Sequence, residues 1–270
     1  MITCDVLGYC PTSNNGLGNQ MFCIATALGL AKENNDKAVF PDLNFHPYDF
    51  YGNSIFHKLN KSAFDKKFVK NRYTEKSYTS TIYNKIEYKE DLCIYGYFQS
   101  YKYFHDYEEH IQDMFSLPDF YTDSIDKKYE YLYKKNAVAL HFRRKDYLKF
   151  ENLYCQLEES YYLNALNKIG EYDTLVLFSD DINWVKNNTD FLGSTEKIYI
   201  EGELDVVDMY LMSKIKNNII ANSTFSWWAA YLNKNKDKKV VSPWCWFGPK
   251  RVSSNKKETA DLIPESWIRI

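Results

Sequence analysis

In the second half of the chain, short continuous apolar runs alternate with stretches of helical periodicity, and this alternation is the strongest pattern in the sequence. Strands are expected over 136–142, 174–178, 197–200, 218–221 and 239–241. Helices are expected over 156–169, from 181, over 205–216 and over 223–233. Apolar strands of this kind, spaced by helices, read as a parallel sheet covered on both faces. The pattern is that of a doubly wound, nucleotide-binding α/β fold. The first half is weaker. An apolar stretch to Tyr9 is followed by a loop over 11–18, and a helix is expected over 19–33 because Met21, Phe22, Ala25, Leu28 and Gly29 share one face. A strand at 37–40 stops at Pro41, another covers 91–97, and a helix covers 101–115. Residues 57–91, charged and rich in tyrosine, read as surface loops or a small excursion. Leu117-Pro118 punctuates the chain, and a polar helix to Lys135 bridges two lobes, 1–125 and 126–270.

Composition narrows the function. With 34 basic and 36 acidic residues the net charge is -2, which argues against a protein built to coat nucleic acid but leaves room for one local anion site. The six cysteines show no Cys-x-x-Cys spacing and no ligand-like interval to a histidine, so no metal site is expected. They read as free, mostly buried thiols of a reducing compartment. No leader-like stretch opens the sequence and no apolar segment is long enough to span a bilayer, so the expected location is the cytoplasm, with peripheral membrane contact left open.

Ligands of open α/β sheets bind at the carboxyl ends of the strands. Three polar clusters fall there: Arg143-Arg144-Lys145-Asp146 after Phe142, Ser179-Asp180-Asp181 after Phe178, and Asn222-Ser223-Thr224-Phe225-Ser226 after Ala221. Adjacent cations are costly to hold together unless something anionic joins them, and arginine suits bidentate phosphate contact. A solvated basic turn is the better explanation of such a run when it stands alone. Ser223 or Thr224 is a good N-cap, and a helix N-terminus offers N–H groups to a phosphate, two roles that are compatible. One of Asp180 and Asp181 caps a helix, while the other is free to accept hydrogen bonds from a nucleotide base or ribose. Capping suffices for Asp205 and Asp208, and Trp227-Trp228 reads as core. Gly16-Leu17-Gly18-Asn19 lets backbone approach a ligand, but Met21 breaks the dinucleotide fingerprint. No Asp-x-Asp, P-loop or Gly-x-Ser-x-Gly motif occurs.

Taken together, Gly16-Leu17-Gly18-Asn19-Gln20-Met21-Phe22, His141-Phe142-Arg143-Arg144-Lys145-Asp146-Tyr147, Phe178-Ser179-Asp180-Asp181, the stretch 218–232 and the tail 242–247 resemble the α-1,2-fucosyltransferase family, glycosyltransferase family 11. The resemblance implies a GT-B-like α/β architecture of two Rossmann-like lobes with parallel sheets. The first lobe would serve the acceptor side and the second would bind the nucleotide sugar. It implies metal-free, inverting transfer of L-fucose from GDP-fucose to the 2-hydroxyl of a galactose-type glycan, with no cofactor. Arg143 would stabilise the departing diphosphate, Arg144 would support it, and His141 and Asp146 would position both. Gly16, Gly18 and Asn19 would face the donor. Asn222, Ser223, Thr224, Phe225 and Ser226 would line the diphosphate, and Asp180 or Asp181 the guanosine. Related α-1,6-fucosyltransferases carry a glutamate seven positions after the second arginine, which falls on Glu151 as a candidate general base. The chain departs from the family pattern at Asn15, Cys23-Ile24 and Lys145. A transferase of another nucleotide sugar and a non-catalytic glycan-binding protein are the alternatives.

Overall fold

The computed structural model describes residues 1–5, 16–44, 50–65, 67, 69–76, 81–251 and 254–270. The loop over 11–15, including Asn15, and Cys10 lie outside the described residues. The chain forms two compact units, Met1–Pro118 with Thr259–Leu262, and Asp119–Glu258 with Ile263–Ile270.

The first unit holds β1 (Ile2–Cys4), α1 (Leu17–Glu33), α2 (Phe50–Asn53), β2 (Asn71–Thr74), β3 (Leu92–Tyr95) and α3 (Glu108–Met114). Its sheet has the order β1-β3-β2, parallel throughout. Helix α1 is buried continuously from Met21 to Ala31, so it is a core helix covered all round instead of a one-faced surface helix. Three expectations change here. Residues 37–40 give a single parallel bridge from Ala38 to Ile2, not a strand. The 57–91 region contains β2, whose polar Asn-Arg-Tyr-Thr sequence is only half buried and so hides its pairing with β3. The helix expected over 101–115 is broken into 3-10 turns at Tyr101–Tyr103 and His105–Tyr107 before α3. That backbone presses onto α1 at Gly29, where an added Cβ would stand 2.6 Å from the Tyr103 carbonyl oxygen. A close approach of this kind needs glycine.

The second unit holds α4 (Asp119–Tyr133), β4 (Ala137–Phe142), α5 (Lys145–Lys149), α6 (Glu159–Ile169), β5 (Thr174–Ser179), α7 (Ile182–Asn187), β6 (Glu196–Tyr199), α8 (Asp205–Lys214), β7 (Asn217–Ile219), α9 (Thr224–Tyr231), β8 (Val240–Ser242), α10 (Asn255–Glu258) and β9 (Ile268–Arg269). Its six strands are all parallel in the order β6-β5-β4-β7-β8-β9. Strand order therefore reverses between β4 and β7, which is where an open sheet of this class leaves a crevice for a ligand. Strand β4 is buried along its whole length, as its unbroken apolar run requires. Val138, Leu140 and Phe142 pack with Tyr161, Tyr162, Ala165 and Leu166 of α6, and the Phe142 and Tyr162 rings stack at 4.2 Å. Alternation along the strand turns Ala139 and His141 to the opposite face. There His141 meets Phe225 of α9 with ring centroids 5.5 Å apart. Trp227 and Trp228 are fully buried, as core.

Candidate active site

The reversal point of the second unit is flanked by the ends of β4 and β7, and the polar clusters of the sequence gather beside it. After Phe142 the chain turns sharply into α5, and the turn is held from the next strand end. The Arg144 and Lys145 backbone N–H groups donate to Asp180 Oδ1 and Oδ2 at 2.9 and 3.2 Å. Arg143 reaches Asp146 Oδ1 at 2.7 Å and Asp180 Oδ2 at 3.4 Å. Burial works against its charge, but Asp180 and Asp146 outweigh burial and hold the guanidinium above its ordinary value. Arg144 Nε stands 3.9 Å from Asp181 Oδ2, and its guanidinium carbon lies 3.2 Å from the Trp184 ring centroid.

One expectation is corrected by this geometry. The arginines do not depend on an outside anion to coexist, because Arg143 is paired with Asp146 and Asp180 and Arg144 lies near Asp181. Asp181 is the helix cap, as expected of one of the two neighbouring aspartates, accepting from the Trp184 N–H at 3.3 Å. Asp180 accepts from the backbone of the turn.

His141 is buried, and its Nδ1 has no hydrogen-bond partner. Burial, and then the Arg143 charge, lower its pKa to about 3, so the imidazole is neutral near pH 7. Ser223 occupies the N-cap of α9 without a side-chain capping bond. Thr224 and Phe225 are half-buried. Ser226 points inward, its hydroxyl donating to the carbonyls of Ser223 and Ala221 at 3.3 and 3.4 Å. Asn222 uses its amide to hold the carbonyls of Cys155 and Trp246 at 3.0 and 2.8 Å. Asn222 and Ser226 thus build the frame of the site.

Glu151 is exposed on the turn that follows α5. Gly16, Gly18 and Asn19 belong to the first unit, where Gly16 is the N-cap of α1, Gly18 is buried, and Asn19 Oδ1 accepts from Gln99 at 2.9 Å.

Sequence reasoning did not foresee the surroundings of three side chains. Tyr147 donates its hydroxyl to the Asn222 carbonyl at 2.8 Å and stacks on Tyr154 at 4.0 Å. Trp184 forms the floor beneath Arg144. Asp208 is no cap: Leu204 holds that position, and Asp208 Oδ1 is shut from solvent without a hydrogen-bond partner. Burial, then Glu203 and Asp205, push its carboxyl up to about 7. The legible signal was an acid set among the apolar Val206, Val207 and Met209 near the start of a helix that is largely buried. The reading of six free thiols is also corrected. Cys155 and Cys245 form a disulfide, whereas Cys4, Cys23 and Cys93 are free and buried.

The sequence model of glycosyl transferase family 11 matches residues 7–269. The chain belongs to this family. The O-antigen biosynthesis glycosyltransferase WbnK of Escherichia coli is 32% identical, over 93% of this chain and 83% of WbnK. An alpha-1,2-colitosyltransferase of Escherichia coli is 31% identical, over 94% of this chain and 96% of its own length. Among solved structures, the fucosyltransferase NodZ from Bradyrhizobium superposes with a TM-score of 0.52 at 12% identity, over 80% of this chain and 89% of NodZ. POFUT1 in complex with GDP-fucose gives 0.52 at 13% identity, over 89% of this chain and 96% of POFUT1. This family 11 glycosyltransferase therefore has the GT-B-type α/β fold of parallel sheets. Among its described residues no helix is long and apolar enough to cross a membrane.

Proposed function

We propose that this family 11 enzyme transfers L-fucose, with inversion, from GDP-fucose to the 2-hydroxyl of a galactose-type acceptor. The observation that carries the reading is the Arg143 guanidinium at the end of β4, fixed by Asp146 and Asp180 over the Tyr147 ring, whose hydroxyl bonds the Asn222 carbonyl just ahead of α9. Such a fixed cation meets the charge that develops on a leaving diphosphate without reorganising during the reaction, and the first turn of a helix favours the same charge. In the reaction the acceptor oxygen attacks C1 of fucose. The C1–O bond to the β-phosphate breaks, its electron pair stays on the phosphate oxygen, and the acceptor proton passes to a base. Glu151 is the base assigned. Arg143 takes the diphosphate, Arg144 supports it, and the neutral His141 and Asp146 position the pair. Asp180 and Asp181 hold the turn and helix from which the guanosine is approached, and Ser223, Thr224 and Phe225 border the phosphates.

A second donor is favoured by the relative that transfers colitose. Colitose lacks one hydroxyl of fucose, so donor choice turns on a single polar contact. Titration calorimetry with GDP-fucose, GDP-colitose, GDP-mannose and UDP-sugars tests the assignment. GDP-fucose is expected to bind most tightly and to give a 1,2-linked product on galactose-terminated oligosaccharides. A preference for a UDP-sugar overturns the reading, and a preference for GDP-colitose replaces the sugar while keeping the nucleotide site.

A further inference from the structure

Beyond the cation pair, the chain rises into a short crown before returning to the sheet. Both feet of the crown are anchored to the same residue. Tyr147 bonds the Asn222 carbonyl, and the Asn222 amide holds the Cys155 and Trp246 carbonyls. The Cys155–Cys245 disulfide ties the second foot down, and Tyr154 bridges Phe247 in antiparallel fashion. At Gly248 an added Cβ would lie 2.5 Å from the Asn152 carbonyl oxygen, so the two segments touch backbone to backbone. Rigid feet make a positioned surface of what lies between them.

That surface mixes large apolar side chains, exposed to solvent, with polar ones. Leu148 is 49% exposed, Phe150 51% and Leu153 39%, three large apolar side chains within six residues. They border an open concavity of about 460 Å³ together with Lys149, Glu151, Asn152 and Lys250. A concave surface of apolar side chains with a few polar groups beside them suits a small-molecule ligand. The concavity is linked to Arg143 by rings: its guanidinium carbon lies 5.4 Å from the Tyr147 ring centroid, and Tyr147 stacks on Tyr154 next to Leu153.

We propose that this crown seats the acceptor sugar, with Phe150 under the apolar face of its terminal pyranose and Asn152 and Lys250 bonding its hydroxyls. The assignment rests on the transferase reading above and extends it to the second substrate, seating the acceptor on the second unit where the family likeness implies the first lobe. Ring-on-ring contact orients a pyranose without demanding one sugar, while the polar rim selects among hydroxyl patterns. Glu151 lines the same concavity, which brings the assigned base to the acceptor hydroxyl.

The test uses the full chain, GDP-fucose, and the best-used acceptor from a panel of galactose-terminated oligosaccharides. For Phe150→Ala the acceptor KM is expected to rise roughly tenfold, the scale of one lost aromatic contact, with the Kd for GDP-fucose and the melting temperature kept. Phe150→Trp is expected to restore the KM, and Lys250→Ala to raise it. An unchanged acceptor KM in Phe150→Ala and Lys250→Ala overturns the proposal. So does an unchanged KM accompanied by lost binding to phosphatidylglycerol vesicles, which gives the crown to a membrane surface instead. Failure of the parent protein to bind GDP-fucose defeats the donor reading, and binding without turnover of any acceptor in the panel defeats transfer and the crown with it.

Discussion

At the scale of single residues, the two arginines of the turn are separable. Arg143 is held between Asp146 and Asp180, whereas Arg144 lies against Trp184. Arg143→Ala is expected to lose at least ~2.7 kcal/mol of transition-state stabilisation, the scale for removing one preorganised charge-stabilising donor. Steady-state kcat at saturating donor and acceptor checks this, and near-parental turnover refutes the role. Asp208 gives a prediction in pH. Its folded pKa of about 7 stands above the ordinary carboxylate value, so its stabilising share is complete below about pH 4 and is lost as the pH rises through 7. His141, lowered to about 3, acts in the opposite sense: stability falls as the pH drops below its unfolded value near 6.5. The two overlap between about pH 4 and 6.5, so Asp208 is read most cleanly above that range. Asp208→Asn is expected to flatten the loss of stability between pH 6.5 and 8 and to gain on the order of 2–4 kcal/mol at the upper end. Melting temperatures of parent and variant across that range decide it, and parallel curves count against a buried, protonatable carboxyl.

At the scale of elements, legibility followed burial. Strands β4 and β5 are covered on both faces, and their unbroken apolar runs gave them away within a residue at either end. Strand β2 could not be found, because a half-buried edge tetrapeptide of polar residues has no pattern of its own. Helix α5 is too short for periodicity, and β9 pairs through just two residues. The site was legible as residue types at strand ends, but not as partnerships. Nothing in Asn222 announces that its amide ties two distant carbonyls, and nothing in Cys155 and Cys245, 90 residues apart, announces a bond. Such long-range closures depend on the finished topology. The disulfide closes a long loop, so Cys155→Ser with Cys245→Ser is expected to cost about 2–4 kcal/mol. Denaturant melts of oxidised parent, reduced parent and double variant check this: both of the latter should fall together, and no difference among the three refutes a stabilising bond.

At the scale of the whole molecule, the proposed mechanism draws its catalytic charge from side chains of the second unit's sheet rim. Turnover is accordingly expected to stay within about twofold on addition of EDTA, a margin worth less than ~0.5 kcal/mol of barrier. A larger loss restored by Mg²⁺ or Mn²⁺ would show that a cation shares the work assigned to Arg143. The pairing of the two arginines with carboxylates has one more consequence. On the proposed reading, a diphosphate arriving there does not fall into a bare positive well; it joins arginines whose charge Asp146, Asp180 and Asp181 already offset. Its grip is then weaker than an unpaired cluster of cations would give. Spent nucleotide is expected to leave the more readily for it.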